Sequence, residues 1–455
     1  VRTLLLSIAA AAAVLLALVP APAADPPAAP GQPPATLKYL WATAYHIPPE
    51  TTTEESGYFS LCEGKDGKIY VGTAAYGRNS YLVEFDPATE KMRVVLDTHR
   101  LVGLPPDPTG YAAQSKVHTR NFVGPSGVIY LGTKQGYPTA EEKKTGKVAT
   151  YRGGFVITYD PATGKATNLG MPMPLGDKRL PADAKEGEGV IDVTADEARG
   201  LLYVITCEHQ HWMLFDTKRP EKGYRDLGPT LRDQPNTLID KQGRATAITH
   251  DYQVARYDPA ADKVTVDPLV VDGKPFREVV GPKAVHPDWR LAADGKTAYL
   301  QLLNDLRMFA VDIGEQAGKP VVARSLGNRV EGAHPDSRGS VSIAPDGRVY
   351  STIRVDNATG FGTGYLHHLV RYDPRSKEMA DLGVIAVKNP GFFDFKGPQA
   401  KNPDGSLRPR HGFHTLPDGT LTPLHVVMAT VVARDGTVYA TTIYPFTLLR
   451  IPPVR

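Results

Sequence analysis

Only two cysteines, Cys62 and Cys207, occur in 455 residues, too few for a disulfide framework. Charge of one sign is also missing: 52 Lys and Arg against 49 Asp and Glu leave a formal net charge of +3. That balance gives no argument for a nucleic-acid partner or a membrane surface. There is no G-x-S-x-G elbow, no H-E-x-x-H, no P-loop and no dinucleotide signature, which counts against serine hydrolase, zincin and nucleotide chemistry. Long helical periods are scarce. The one long apolar run, Leu4 to Val19, is short for a membrane span of about 20 residues and is closed by Pro20 and Pro22. With Arg2 ahead of it and Ala21-Pro22-Ala23 behind, it predicts a signal peptide over 1–23, with a retained anchor as the alternative. A Pro/Ala-rich linker follows over 24–36. The expected location is periplasmic or secreted, with no membrane association after cleavage. The folded part is expected to start at residue 37.

What the chain has in quantity is turn formers, 43 Gly and 40 Pro, spaced by short alternating strands. A Gly turn followed by a strand recurs as KDGKIYVGT, PSGVIYLGT, EARGLLYVIT, KQGRATAIT, ADGKTAYLQL, PDGRVYSTI and RDGTVYATT, at roughly 40- to 50-residue intervals. A second mark is a strand ending in Asp before a turn: LVEFDPATEK, FVITYDPATGK, WMLFDTKRPEK, VARYDPAADK, MFAVDIGEQAGK and LVRYDPRSKE. Pro fixes φ in such a turn while the Asp side chain caps the backbone. The last unit ends in FTLLRI and lacks its fourth strand, which LKYLWATAY at 37–45 would supply. The expectation is therefore an all-β, seven-bladed β-propeller over 37–455, closed by an N-terminal strand pairing with the C-terminal blade. Cys62 and Cys207 then fall in the first and third blades and are not expected to bond.

In a four-strand meander the A–B and C–D turns lie on one face, and the B–C and D–A connections on the other. The first set is short and contains no histidine; the second is long and carries the imidazoles and polar aromatics, so it is the expected working face. In KVHTRNF, His118 and Arg120 share one side of an extended strand, a candidate base beside a candidate carboxylate neutraliser. His250 and Tyr252 form a second possible acid/base pair. Tyr76, Arg78, Lys134, Tyr137, Arg307, Arg354 and His425 are candidate substrate-binding residues. Cys207, His209 and His211 alternate; if the strand runs on to Trp212 they face one side and suit a divalent metal, Zn, Mn or Ca. A sharp turn inside CEHQHW would scatter them.

The DPATGK-type turns, the DLG strand ends at 225–228 and 380–383, and KVHTRNFVGPSGVIYLGT resemble the propeller polysaccharide lyases of the oligogalacturonate and ulvan lyase families. That resemblance implies a carbohydrate ligand and β-elimination of a uronate, with His118 as base and Arg120 neutralising the carboxylate. A second resemblance, of RDQPNTLIDKQGR to lactonase-type propellers of the senescence-marker family, implies a metal-dependent hydrolase with Asn236 as ligand. The third possibility is a non-catalytic propeller binding a glycan or another protein. A monomer is expected.

Overall fold

The computed structural model describes residues 37–105, 109–233, 236–314, 318–400 and 412–454, apart from the side chains of 55–57 and 399. The expected signal peptide and linker lie outside the described residues, as does His411. The protein is all-β in its layers, and its strands form consecutive antiparallel meanders. The first is Glu55–Glu63, Ile69–Ala74, Tyr81–Asp86 and Lys91–Asp97. The third is Gly189–Asp196, Leu201–Cys207, His211–Asp216 and Tyr224–Thr230. Their third strands end at Asp86 and Asp216, where the Asp-turn reading placed them. Asp86, Asp160, Asp216, Asp258 and Asp373 each accept the backbone N–H two residues on, at 2.9–3.0 Å.

Each meander shares an apolar core with the next. Tyr203, Ile205, Trp212 and Leu214 pack with Ala245, Ala247, Ala255 and Tyr257, and Tyr299, Met308 and Ala310 pack with Val341, Val349 and Tyr372. Val71 and Phe85 of the first pack with Tyr439 and Leu448 of the last. Because both faces are covered, inner strands such as Ile69–Ala74 and Gly189–Asp196 are buried at every position, while the outer Lys91–Asp97 is buried only at Leu96. Close packing explains the glycines of the VGT and LGT repeats. A Cβ on Gly72 would stand 2.0 Å from Ser60 Oγ, and one on Gly132 2.3 Å from Val190. The arrangement is that of a β-propeller.

Two departures from simple meanders matter. Tyr39–His46 pairs antiparallel with Thr447–Ile451 and, through its first half, parallel with Glu378–Val387. The inner strand of the second meander is split into Lys116–Val117 and Phe122–Val123. Between them residues 118–121 leave the ladder, with Asn121 at φ 56, although His118 N still donates to Gly132 O at 2.9 Å. This excursion carries His118 and Arg120 into the central channel.

Candidate functional site

The mouth of the channel holds a cavity of ≈ 390 Å³ on the face formed by the long connections. Tyr58, Lys116, His118, Lys134, Tyr137, Cys207, Asp233, His286 and Arg338 contribute to its walls. Its floor is apolar and ionic. Phe59 packs in one cluster with Ile191 and Cys207, and lies so close to Gly339 that a Cβ there would be 2.2 Å from its ring. Below it, Arg120 Nη2 pairs with Asp288 Oδ1 of the strand Pro287–Leu291 at 2.6 Å.

Burial and the charges of Lys134 and Lys116 hold the His118 imidazole well below the ordinary histidine range, so it is neutral near pH 7. It is 7% exposed, its Nδ1 is buried without a partner among the described residues, and Tyr58 meets it edge-on with ring centroids 5.1 Å apart. His286 is the opposite case. Burial lowers it, but Asp233 Oδ2 at 3.2 Å outweighs that and raises its pKa, while Asp233 itself is lowered to about 2, its hydrogen bond to His286 overcoming burial. Lys134 Nζ donates to Cys207 Sγ at 2.8 Å and pairs with Glu208 at 2.6 Å. Burial pushes the Cys207 thiol up to about 12, so Cys207 is protonated at neutral pH and Glu208 is the anion that keeps Lys134 charged. Lys116 is enclosed by the Tyr58, Tyr76 and Tyr137 rings at 5.0, 4.9 and 5.1 Å. Arg338 pairs with Asp336 at 3.2 Å.

Of the sequence candidates, His118, Lys134, Tyr137 and Cys207 line this cavity, and Tyr76 backs it through Lys116 and Tyr137. Arg120 points to the lower side of the floor, its charge engaged by Asp288. His250 is exposed, whereas Tyr252 is buried at φ 58 with its hydroxyl donating to Ala284 O at 2.9 Å. Arg78 is exposed. Arg307 forks onto Asp305 at 2.9 and 2.6 Å. Arg354 donates to His425 O, pairs with Asp336 at 3.3 Å and covers the Tyr365 ring at 4.1 Å. His425 lies beside Tyr444, centroids 6.0 Å apart.

The strand ends at Cys207 and does not run on to Trp212, so the sharp-turn alternative holds. A turn with Glu208 at φ 145 and Gln210 at φ 52 follows, and a new strand starts at His211. Cys207 consequently faces Lys134, His209 Nδ1 meets Glu188 at 2.6 Å, and His211 Nδ1 meets Asp226 at 2.8 Å. These donors do not converge, and among the described residues no group of three His, Cys, Asp or Glu is placed to hold a metal. Asn236 donates its side-chain N–H to Trp289 O at 2.8 Å. Both cysteines are buried and free. Sequence reasoning passed over Lys116, Asp233 and Arg338. Lys116 was detectable, since it alternates with His118 in KVHTRNF; Asp233 and Arg338 come from other connections and give no local signal. No helix among the described residues is long and apolar enough to cross a membrane.

No protein-family model matches the chain, and no curated protein does. Among solved structures it is similar to the Myceliophteria thermophila Cps50 (Swd1) β-propeller domain, at 11% identity over 90% of this chain and 99% of that one, with a TM-score of 0.47. It is also similar to the extracellular domain of the one-component system BT4673 of B. thetaiotaomicron. That match is 11% identical over 84% of this chain and 57% of that one, with a TM-score of 0.30.

Proposed function

We propose that the chain is an exported, seven-bladed propeller whose channel mouth binds acidic carbohydrate and eliminates across a uronate residue. The observation that carries this reading is a neutral, buried His118 in a cavity that also holds Lys116, Lys134 and Arg338. The cations offset the uronate carboxylate and so acidify its C5–H. A bound anion also counters the charges that depress His118, which raises its basicity where a proton must be accepted. His118 takes the C5 proton, the C–H electron pair becomes the C4=C5 bond, and the C4–O bond breaks. His286, whose protonated form Asp233 favours, gives its proton to the departing oxygen. Two imidazoles with pKa values pushed apart in one pocket suit a base and an acid. The blade count rests on the shared cores and on Tyr39–His46 as the fourth strand of the last meander.

A second reading, a non-catalytic glycan-binding propeller, is favoured by one observation: Asp288 already occupies Arg120, the neutraliser that the lyase resemblance implies. A panel of uronate polysaccharides and oligosaccharides, followed by absorbance of the unsaturated product, separates the two. The lyase reading expects product with the full chain and a loss of about 10²-fold or more in His118→Gln. Bound glycan with no product anywhere in the panel favours the binding module, and full activity in His118→Gln removes this base.

A further inference from the structure

Beneath the floor, opening to the opposite face, lies a larger cavity of ≈ 650 Å³. Arg120, Asn121, Asp192 and Arg290 contribute to its walls. Two guanidiniums meet here over one carboxylate: Asp288 Oδ1 is 2.6 Å from Arg120 Nη2 and 3.3 Å from Arg290 Nη1. Asp288 also accepts the Val341 N–H at 2.8 Å, so its acceptor capacity is heavily used. Asp192 does not supply the missing negative charge in full. It is 2% exposed, and burial pushes its pKa up to about 7 despite bonds from Thr237 N and Thr194 Oγ1. Meanwhile Arg120 Nε, Arg290 Nη2 and Asn121 Nδ2 are buried with no partner among the described residues. Unpaired buried donors are costly, and an acceptor-rich ligand relieves that cost.

We propose that this lower chamber is a second binding site, separate from the channel mouth, for a small oxyanion held by Arg290, Arg120 and the Asn121 amide. The ligand class follows from the donors: a planar guanidinium fork beside an amide N–H matches the oxygens of a carboxylate or a sulfate. The floor of Phe59 and the Arg120–Asp288 pair separates it from the upper cavity, so its ligand enters from the short-turn face. Nothing in this assignment depends on the lyase reading.

Titration calorimetry of the full chain, with sodium sulfate in one arm and sodium acetate in the other, tests it and tells the two oxyanion classes apart. Saturable binding of at least one anion is expected. Arg290→Gln should weaken it about tenfold or more, and Arg290→Lys should weaken it too, because an ammonium keeps the charge and loses the fork. Asp192→Asn should bind as well or better, and Lys134→Met, which removes a cation of the upper cavity, should keep the Arg290-dependent heat. Thermal unfolding verifies that each variant is folded. No saturable heat with either anion, binding indifferent to both Arg290 variants, or binding lost in Lys134→Met would each overturn the proposal.

Discussion

At the scale of single residues, burial drives His118 and Asp192 toward the same electrical state from opposite sides: both are favoured neutral, one by losing a proton and one by keeping it. For Asp192 the folded pKa of about 7 exceeds the ordinary 3.8. The native state therefore binds the extra proton between those values, and its stability falls as pH rises through that window. Asp192→Asn removes the penalty. Denaturant unfolding should show the variant more stable at pH 8 by up to about 4 kcal/mol, and little changed near pH 4. For turnover, a depressed His118 and a raised His286 predict a bell-shaped pH profile of kcat/KM. The acid limb is lost in His118→Gln, and the basic limb shifts down in Asp233→Asn, which removes the anion raising His286. The candidate base was legible in KVHTRNF, but not the break in the ladder at 118–121 that delivers it to the channel. The Cys207, His209 and His211 alternation was an alias of period 2 across a turn, and His250 and Tyr252 were parted by a left-handed backbone at Tyr252.

Among the elements, the repeated strands and turns were legible because each is local: a Gly turn, an apolar strand, an Asp-capped turn. The seams between meanders were not. Leu269–Val271 runs parallel to Val321–Ala323, joining the outer strands of two successive meanders, and Tyr39–Ala42 does the same with Val384–Val387. Such pairings depend on how neighbouring sheets are placed, which no local pattern records. The glycines inside inner strands report the same packing. Gly72→Ala brings a Cβ within 2.0 Å of Ser60 Oγ and 2.6 Å of Val117 Cβ. Overpacking of this kind should lower stability by about 1–3 kcal/mol, read as a lower unfolding midpoint in urea at unchanged slope. Gly67, in an exposed turn at φ 81 with nothing near its Cβ position, should lose less on the same substitution.

For the whole molecule, Tyr39–His46 pairs with both Glu378–Val387 and Thr447–Ile451, so it ties three separate stretches of sequence together. A chain starting after His46 bares the Thr447–Ile451 edge and breaks the parallel seam. It should unfold at lower temperature and self-associate on size-exclusion chromatography, and adding back a peptide spanning 37–46 should reverse both in part. The same pairing sets an order of events in synthesis. Tyr39–His46 is made before Thr447–Ile451 and can pair with it only after all the intervening meanders have been made. Until then the first meander has a neighbour on one side only and is left with an uncovered face. Contacts of such long sequence separation fold slowly. This pairing is thus a late event in assembly, and a change that weakens the seam should be felt more as aggregation during refolding than as a loss of strand content in the folded protein.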